Sequence, residues 1–169
     1  LSKQKNSRMC MICGLDNEYG VNAPFYNMED GSVMTVFRYK EQHQSYPGRV
    51  HGGMITAMLD EMGLRSLWAK ELSEETFGVT ISLDTKYRKP VPYETELIGR
   101  GVVVKNTSHF IITDSYIMDK DGEILANGRI KYIKMDTQKI QEGVEVHEEM
   151  PYLVEDGRTE IEGPFFDNL

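Results

Sequence analysis

Along the chain, runs of alternating apolar and polar residues surround one long, mostly apolar segment. Val33 to Tyr39 alternates and follows the turn Glu29-Asp30-Gly31, which predicts the first long strand. Glu41 to Val50, containing Pro47-Gly48, reads as a loop. About Gly53 to Lys70 lacks proline, has Gly63 inside it and is otherwise rich in good helix formers, so it predicts the one long helix. Met54, Ile55, Ala57, Met58, Leu59, Met62, Leu64, Leu67, Trp68 and Ala69 cover most of its circumference. A helix that is apolar nearly all round is buried on most sides.

From Gly78, the residues Val79, Ile81, Leu83, Thr85 and Tyr87 alternate with Thr80, Ser82, Asp84, Lys86 and Arg88, a strand with period two. Pro90 and Pro92 end it, and Leu97 to Val104, Phe110 to Met118 and Ile124 to Ile133 follow as strands. Lys120-Asp121-Gly122 turns the third of these four strands into the fourth. One strand, a buried helix and four strands predict an α+β fold, an antiparallel sheet curled round a central helix. The first thirty residues are punctuated by Gly14, Asn17, Gly20, Asn22 and Pro24 and read as an ordered, irregular lead-in. After Met135 the pattern decays. Residues 1–135 therefore read as one domain and 136–169 as an acidic extension, with Phe165 and Phe166 able to dock on the body.

A chain of 169 residues suits a single core. Its net charge of −8 opposes any broad nucleic-acid groove, although Lys86-Tyr87-Arg88-Lys89 stands out as basic. No apolar run is long enough for a membrane span. Leu1 to Arg8 is polar and basic, unlike a secretory signal, and the missing initiator Met reads as a trimmed start; the expected compartment is the cytoplasm. Cys10 and Cys13 are spaced C-x-x-C. A zinc site needs four ligands, and neither a second cysteine pair nor a Cys/His cluster follows. A redox dithiol normally sits inside a βαβ unit, and none precedes this pair. They read as a reduced, structural pair, with no metal and no cofactor expected. His109 and His147 have no supporting constellation.

The chemistry concentrates on the helix. Asp60 and Glu61 sit side by side in a segment predicted to be buried, where a carboxylate must be paired, hydrogen-bonded or neutralised. Glu61 has Arg65 at i+4, whereas Asp60 has no local basic partner. At the helix start, His51-Gly52-Gly53 offers unpaired backbone N–H groups that a ligand can approach without meeting a side chain. Fixed donors of this kind stabilise a carbonyl oxygen as it gains charge. Gly52 and Asp60 are eight residues apart, about 12 Å along a helix. Groups acting on one carbonyl must each lie within about 3 Å of the reacting atoms. If both act, the site is built from two chains.

The segment Tyr46-Pro47-Gly48-Arg49-Val50-His51-Gly52-Gly53-Met54, followed by Ala57-Met58-Leu59-Asp60-Glu61-Met62-Gly63, resembles the PaaI-like branch of the hotdog-fold thioesterases. Cys10-Met11-Ile12-Cys13-Gly14 and Tyr87-Arg88-Lys89-Pro90-Val91 extend the resemblance from about Cys10 to Met135. It implies a hotdog fold, an acyl-CoA substrate and a homodimer or dimer of dimers. It implies that the Gly52 N–H polarises the thioester carbonyl, that His51 orients the loop or the thioester, and that Asp60 of the partner subunit is nucleophile or base. Gly53, Glu61, Arg88 and Lys89 become candidates for binding substrate, the last two through the CoA phosphates. Some members carry an asparagine six residues before the histidine; here Ser45 stands there beside Gln44, either able to substitute as a hydrogen-bonding group. The alternative is an acyl-CoA sensor of the same fold without turnover.

Overall fold

The computed structural model describes residues 1–71, 76–135 and 149–165. Among these residues, seven strands and one long helix follow in the order β1 (Ser2–Lys3), β2 (Tyr26–Asn27), β3 (Val33–Phe37), α1 (Gly52–Glu71), β4 (Phe77–Tyr87), β5 (Leu97–Asn106), β6 (Phe110–Met118) and β7 (Ile124–Met135). All pairings are antiparallel, in the spatial order β1-β2-β3-β5-β6-β7-β4. The helix lies on one face of this sheet, and the architecture is the hotdog fold. As its all-round apolar surface predicts, α1 buries Ile55, Met58, Leu59, Met62, Leu67, Trp68 and Ala69. The predicted strands are present, and β5 and β7 each run two residues further than the sequence reading. The predicted loop holds a single 3-10 turn, Glu41–His43.

Glycines set how closely helix and sheet approach. A methyl group on Gly101 of β5 would lie 2.5 Å from the Met62 carbonyl oxygen. One on Gly63 would lie 2.1 Å from the Tyr132 hydroxyl and 2.6 Å from Thr113 Oγ1. Tyr132 cannot simply withdraw, because it is buried and its hydroxyl donates to the Asp60 carbonyl at 2.6 Å. Helix propensity alone favours alanine over glycine by about 1 kcal/mol. Overpacking costs typically about 1–3 kcal/mol, and loss of the tyrosine bond adds about 1 more. Gly63→Ala should therefore destabilise the protein on balance, lowering Tm by about 5 °C. An unchanged or higher Tm in a thermal melt would contradict this packing.

One strand departs from the sequence reading. The clean alternation put Thr80 on the face opposite Leu83, Thr85 and Tyr87. Instead the β4–β7 register slips between Thr80 and Ser82, so Ile81 is the extra residue of a bulge. Gly78 and Thr80 consequently share the helix-facing side with Leu83, Thr85 and Tyr87, while Val79 and Ile81 turn outward and are exposed. This shift places Thr80 beside Asp60.

The sheet face away from α1 is covered over β2, β3 and β5 by the chain's last described residues. Ile161 and Phe165 pack there with Tyr26, Met34, Ile98 and Met118. Arg100 ties this layer down, donating to the Phe165 carbonyl at 3.2 Å and to Asp30 at 2.7 Å. Phe166 and His147 lie outside the described residues.

Candidate active site

The start of α1 is held by the loop that precedes it. His51 N–H donates to the His43 carbonyl at 2.8 Å, and Val50 N–H to Val91 at 2.9 Å. The buried His43 is itself fixed, its Nδ1 accepting from Lys40 N–H and its Nε2 donating to the Tyr19 carbonyl at 2.6 Å. Of the first helical amides, Gly53 N–H donates to His51 Nδ1 at 2.9 Å. Those of Met54 and Ile55 go to the His51 carbonyl at 2.9 and 3.2 Å. The Gly52 N–H is left without a protein acceptor among the described residues. It is an unpaired donor at the positive end of a 20-residue helix. Because His51 Nδ1 accepts, the proton of a neutral His51 ring sits on Nε2.

Tyr87 closes one side of this end, its hydroxyl donating to the Gly52 carbonyl at 3.1 Å and lying 2.7 Å from Thr56 Oγ1. Arg88 and Lys89 follow directly, both exposed: Arg88 donates to Asn127 at 2.6 Å, and Lys89 pairs with Glu123. Gln44 and Ser45 lie exposed in the loop, Gln44 bridging to Val50 and Ser45 N–H donating to the Arg49 carbonyl at 2.9 Å.

Asp60 sits two turns further along α1, half-buried. Its Oδ1 accepts from Thr80 Oγ1 at 2.9 Å, and its backbone carbonyl from Tyr132. Burial raises its pKa above the usual carboxylate value, the Thr80 hydrogen bond opposing that shift. Glu61 points elsewhere. Its Oε1 accepts from Arg65 Nε at 2.8 Å, and that guanidinium is buried against Phe25, 4.2 Å from the ring centre. Its other oxygen, Oε2, meets the Cys10 thiol at 3.8 Å. Hydrogen bonding from Cys13 brings Cys10 down to about 7 despite burial. The two adjacent carboxylates thus occupy different surroundings, Asp60 facing β4 and Glu61 facing the lead-in.

A single chain therefore gathers His51, Gly52, Gly53, Gln44, Ser45, Arg88 and Lys89 at one end of α1 and leaves Asp60 two turns away. Sequence reasoning missed Thr80, whose position depends on the bulge. It also missed Tyr132, which reads as one more apolar strand residue. Tyr87 carried a signal, being on the inward side of the β4 alternation.

The sequence pattern of the thioesterase superfamily matches residues 47–126, the stretch from the loop before α1 into β7. The solved structure of a thioesterase superfamily protein superposes with a TM-score of 0.66 at 26% identity, covering 74% of this chain and 63% of that one. Over this stretch the chain is similar to the thioesterase superfamily. Among curated relatives, the acyl-coenzyme A thioesterase THEM4 of Rattus norvegicus is 25% identical over 140 residues, 82% of this chain and 57% of that protein. The chain thus spans little more than half the length of that relative. The BH2602 protein of Bacillus halodurans, solved with CoA, shares the fold with a TM-score of 0.57 at 21% identity, covering 67% of this chain and 74% of that one.

Proposed function

We propose that this chain is a thioesterase of that superfamily and hydrolyses acyl-CoA thioesters at a site shared between two copies. The observation that carries this reading is the unpaired Gly52 N–H at the helix start, with Asp60 about 12 Å away on the same helix. The first suits the thioester oxygen and the second suits activation of water or direct attack. They are too far apart to meet on one carbonyl within one chain.

The edge strand β4 supplies a way to unite them. Among the described residues it pairs only with β7, leaving an 11-residue edge of unpaired backbone groups open to a second chain. Thr80, beside Asp60, lies near one end of β4, and Tyr87, beside Gly52, lies at the other. Antiparallel pairing of two β4 strands about a twofold axis near Leu83 sets the Thr80 end of one against the Tyr87 end of the other. Asp60 of the partner subunit then faces the Gly52 N–H. In the reaction, that N–H takes the charge developing on the carbonyl oxygen while the carboxylate deprotonates water or attacks, and the CoA thiolate leaves. Arg88 and Lys89, at the same end, suit the CoA phosphates, with Lys89 exchanging its exposed Glu123 partner for them. The acyl-coenzyme A thioesterase names of relatives and the CoA in a structural neighbour favour this substrate class.

A screen for thiol release across acyl-CoAs of differing chain length and aromatic character tests the reading, together with sizing in solution. The expected result is turnover of at least one panel member by a dimer or dimer of dimers. Binding without thiol release would favour the sensor reading. Full activity in a strict monomer would remove the shared site.

A further inference from the structure

We propose that Cys10, Cys13 and Glu61 form a binding site for one thiophilic divalent cation of the zinc class, clamping the N-terminal lead-in to α1. The C-x-x-C spacing by itself offered two ligands. The fold brings a third from 51 positions further along: the two sulfurs and a Glu61 oxygen all lie within 4.8 Å of one another. Zinc–sulfur bonds of about 2.3 Å and zinc–oxygen bonds of about 2.0–2.2 Å put tetrahedral ligands roughly 3.5–3.8 Å apart. The Cys10 sulfur and Glu61 Oε2 are 3.8 Å apart.

The surroundings are built to hold these donors. Gly14 N–H donates to the Cys10 carbonyl at 2.9 Å, folding the loop back, and a side chain on Gly14 would strike that carbonyl at 2.5 Å. Ile12 N–H donates to the Cys10 sulfur at 3.3 Å, and Ser7 Oγ lies 3.2 Å from the Cys13 sulfur. Arg65 holds Glu61 Oε1, leaving Oε2 directed at Cys10. Partners of this kind orient the ligands of metal sites. The Arg65 Nη2 is buried without a hydrogen-bond partner among the described residues, and the guanidinium interacts electrostatically with Cys13. Charge also balances: two thiolates, one carboxylate, one guanidinium and a divalent cation sum to zero. Three protein ligands leave the fourth position to water, on the partly exposed Cys10 side.

The test reads metal binding rather than turnover, so its failure and that of the thioesterase reading are separate. The reduced, chelator-stripped protein is titrated with Co²⁺ in the absence of air. One equivalent should give thiolate-to-cobalt charge-transfer absorption, abolished by Zn²⁺ and absent from the Cys10→Ser/Cys13→Ser variant. Glu61→Gln keeps an oxygen for Arg65 but is a poorer ligand. It should weaken Zn²⁺ affinity by about tenfold or more, since even outer partners cost roughly 10–100-fold. If the reduced wild type shows no thiolate–cobalt band, the proposal is overturned, and this holds whether or not the double variant folds. Unchanged affinity in Glu61→Gln would equally remove the three-donor site.

Discussion

Asp60→Asn is expected to lower kcat for acyl-CoA hydrolysis by about 10²–10⁴, the range that a positioned acid or base contributes. That corresponds to about 3–5 kcal/mol of transition-state stabilisation. The substitution is nearly isosteric. The Asn oxygen still accepts from Thr80 Oγ1, and the backbone carbonyl still accepts from Tyr132, so the helix keeps both ties to the sheet. Removing a half-buried carboxylate whose pKa burial already raises costs no stability on its own account. Circular dichroism and solution size should therefore match the wild type while turnover collapses. Glu61→Gln measured beside it separates the two carboxylates. Glu61 is turned toward Arg65 and Cys10, away from β4, so its loss should cost far less turnover than that of Asp60. The reverse order of effects would move the chemistry to Glu61, and equal turnover in Asp60→Asn and wild type would take Asp60 out of the mechanism.

Where the sequence was informative, local physics decided the outcome. β6 is bounded as its alternation predicts, Phe110–Met118, because a half-buried strand between two others has little freedom of register. The long helix was legible because its apolar residues run all round and it lacks proline. The bulge at Ile81 was not legible. A run that alternates cleanly in sequence gives no sign that one residue will be squeezed out of the ladder, and that one residue decides whether Thr80 can reach Asp60. Nor could the meeting of Cys10, Cys13 and Glu61 be read. The lead-in is irregular, its path set by bonds such as Asn6 Nδ2 to the Cys13 and Ala23 carbonyls at 2.7 and 2.9 Å. The pairing of Glu61 with Arg65 was visible as an i, i+4 spacing, but the second oxygen's partner came from tertiary structure alone. Local patterns name elements; contacts between distant irregular segments lie beyond them.

Gly52→Pro isolates the other half of the proposed site. Proline at the first helical position is well tolerated, because the N–H it lacks has no partner inside the helix. Here the missing N–H is the one proposed to hold the thioester oxygen. His51, as the residue before it, lies outside the helix, where the restriction proline imposes on its predecessor is met at little cost. The added ring carbons do come near Tyr87, whose ring lies 3.4 Å from a methyl group built at this position. Gly52→Ala controls for that contact, since it adds the methyl group and keeps the N–H. The expected loss in kcat is about 10²–10³ for Gly52→Pro, the cost of one oxyanion donor, and much less for Gly52→Ala. Equal losses in the two variants would mean that crowding against Tyr87, not the donor, governs the effect. Full activity in Gly52→Pro would show that the helix start does not bind the carbonyl oxygen. If Asp60 and Gly52 act on one carbonyl from opposite chains, mixing the two inactive variants under conditions that exchange subunits has a further consequence. A heterodimer carries one site with both defects and one site with neither, so about half the wild-type activity per heterodimer should return. Donor and carboxylate residing in the same chain's site would return none, because every site would then carry one defect. Recovery on mixing therefore reads the geometry of the shared site directly, through turnover alone.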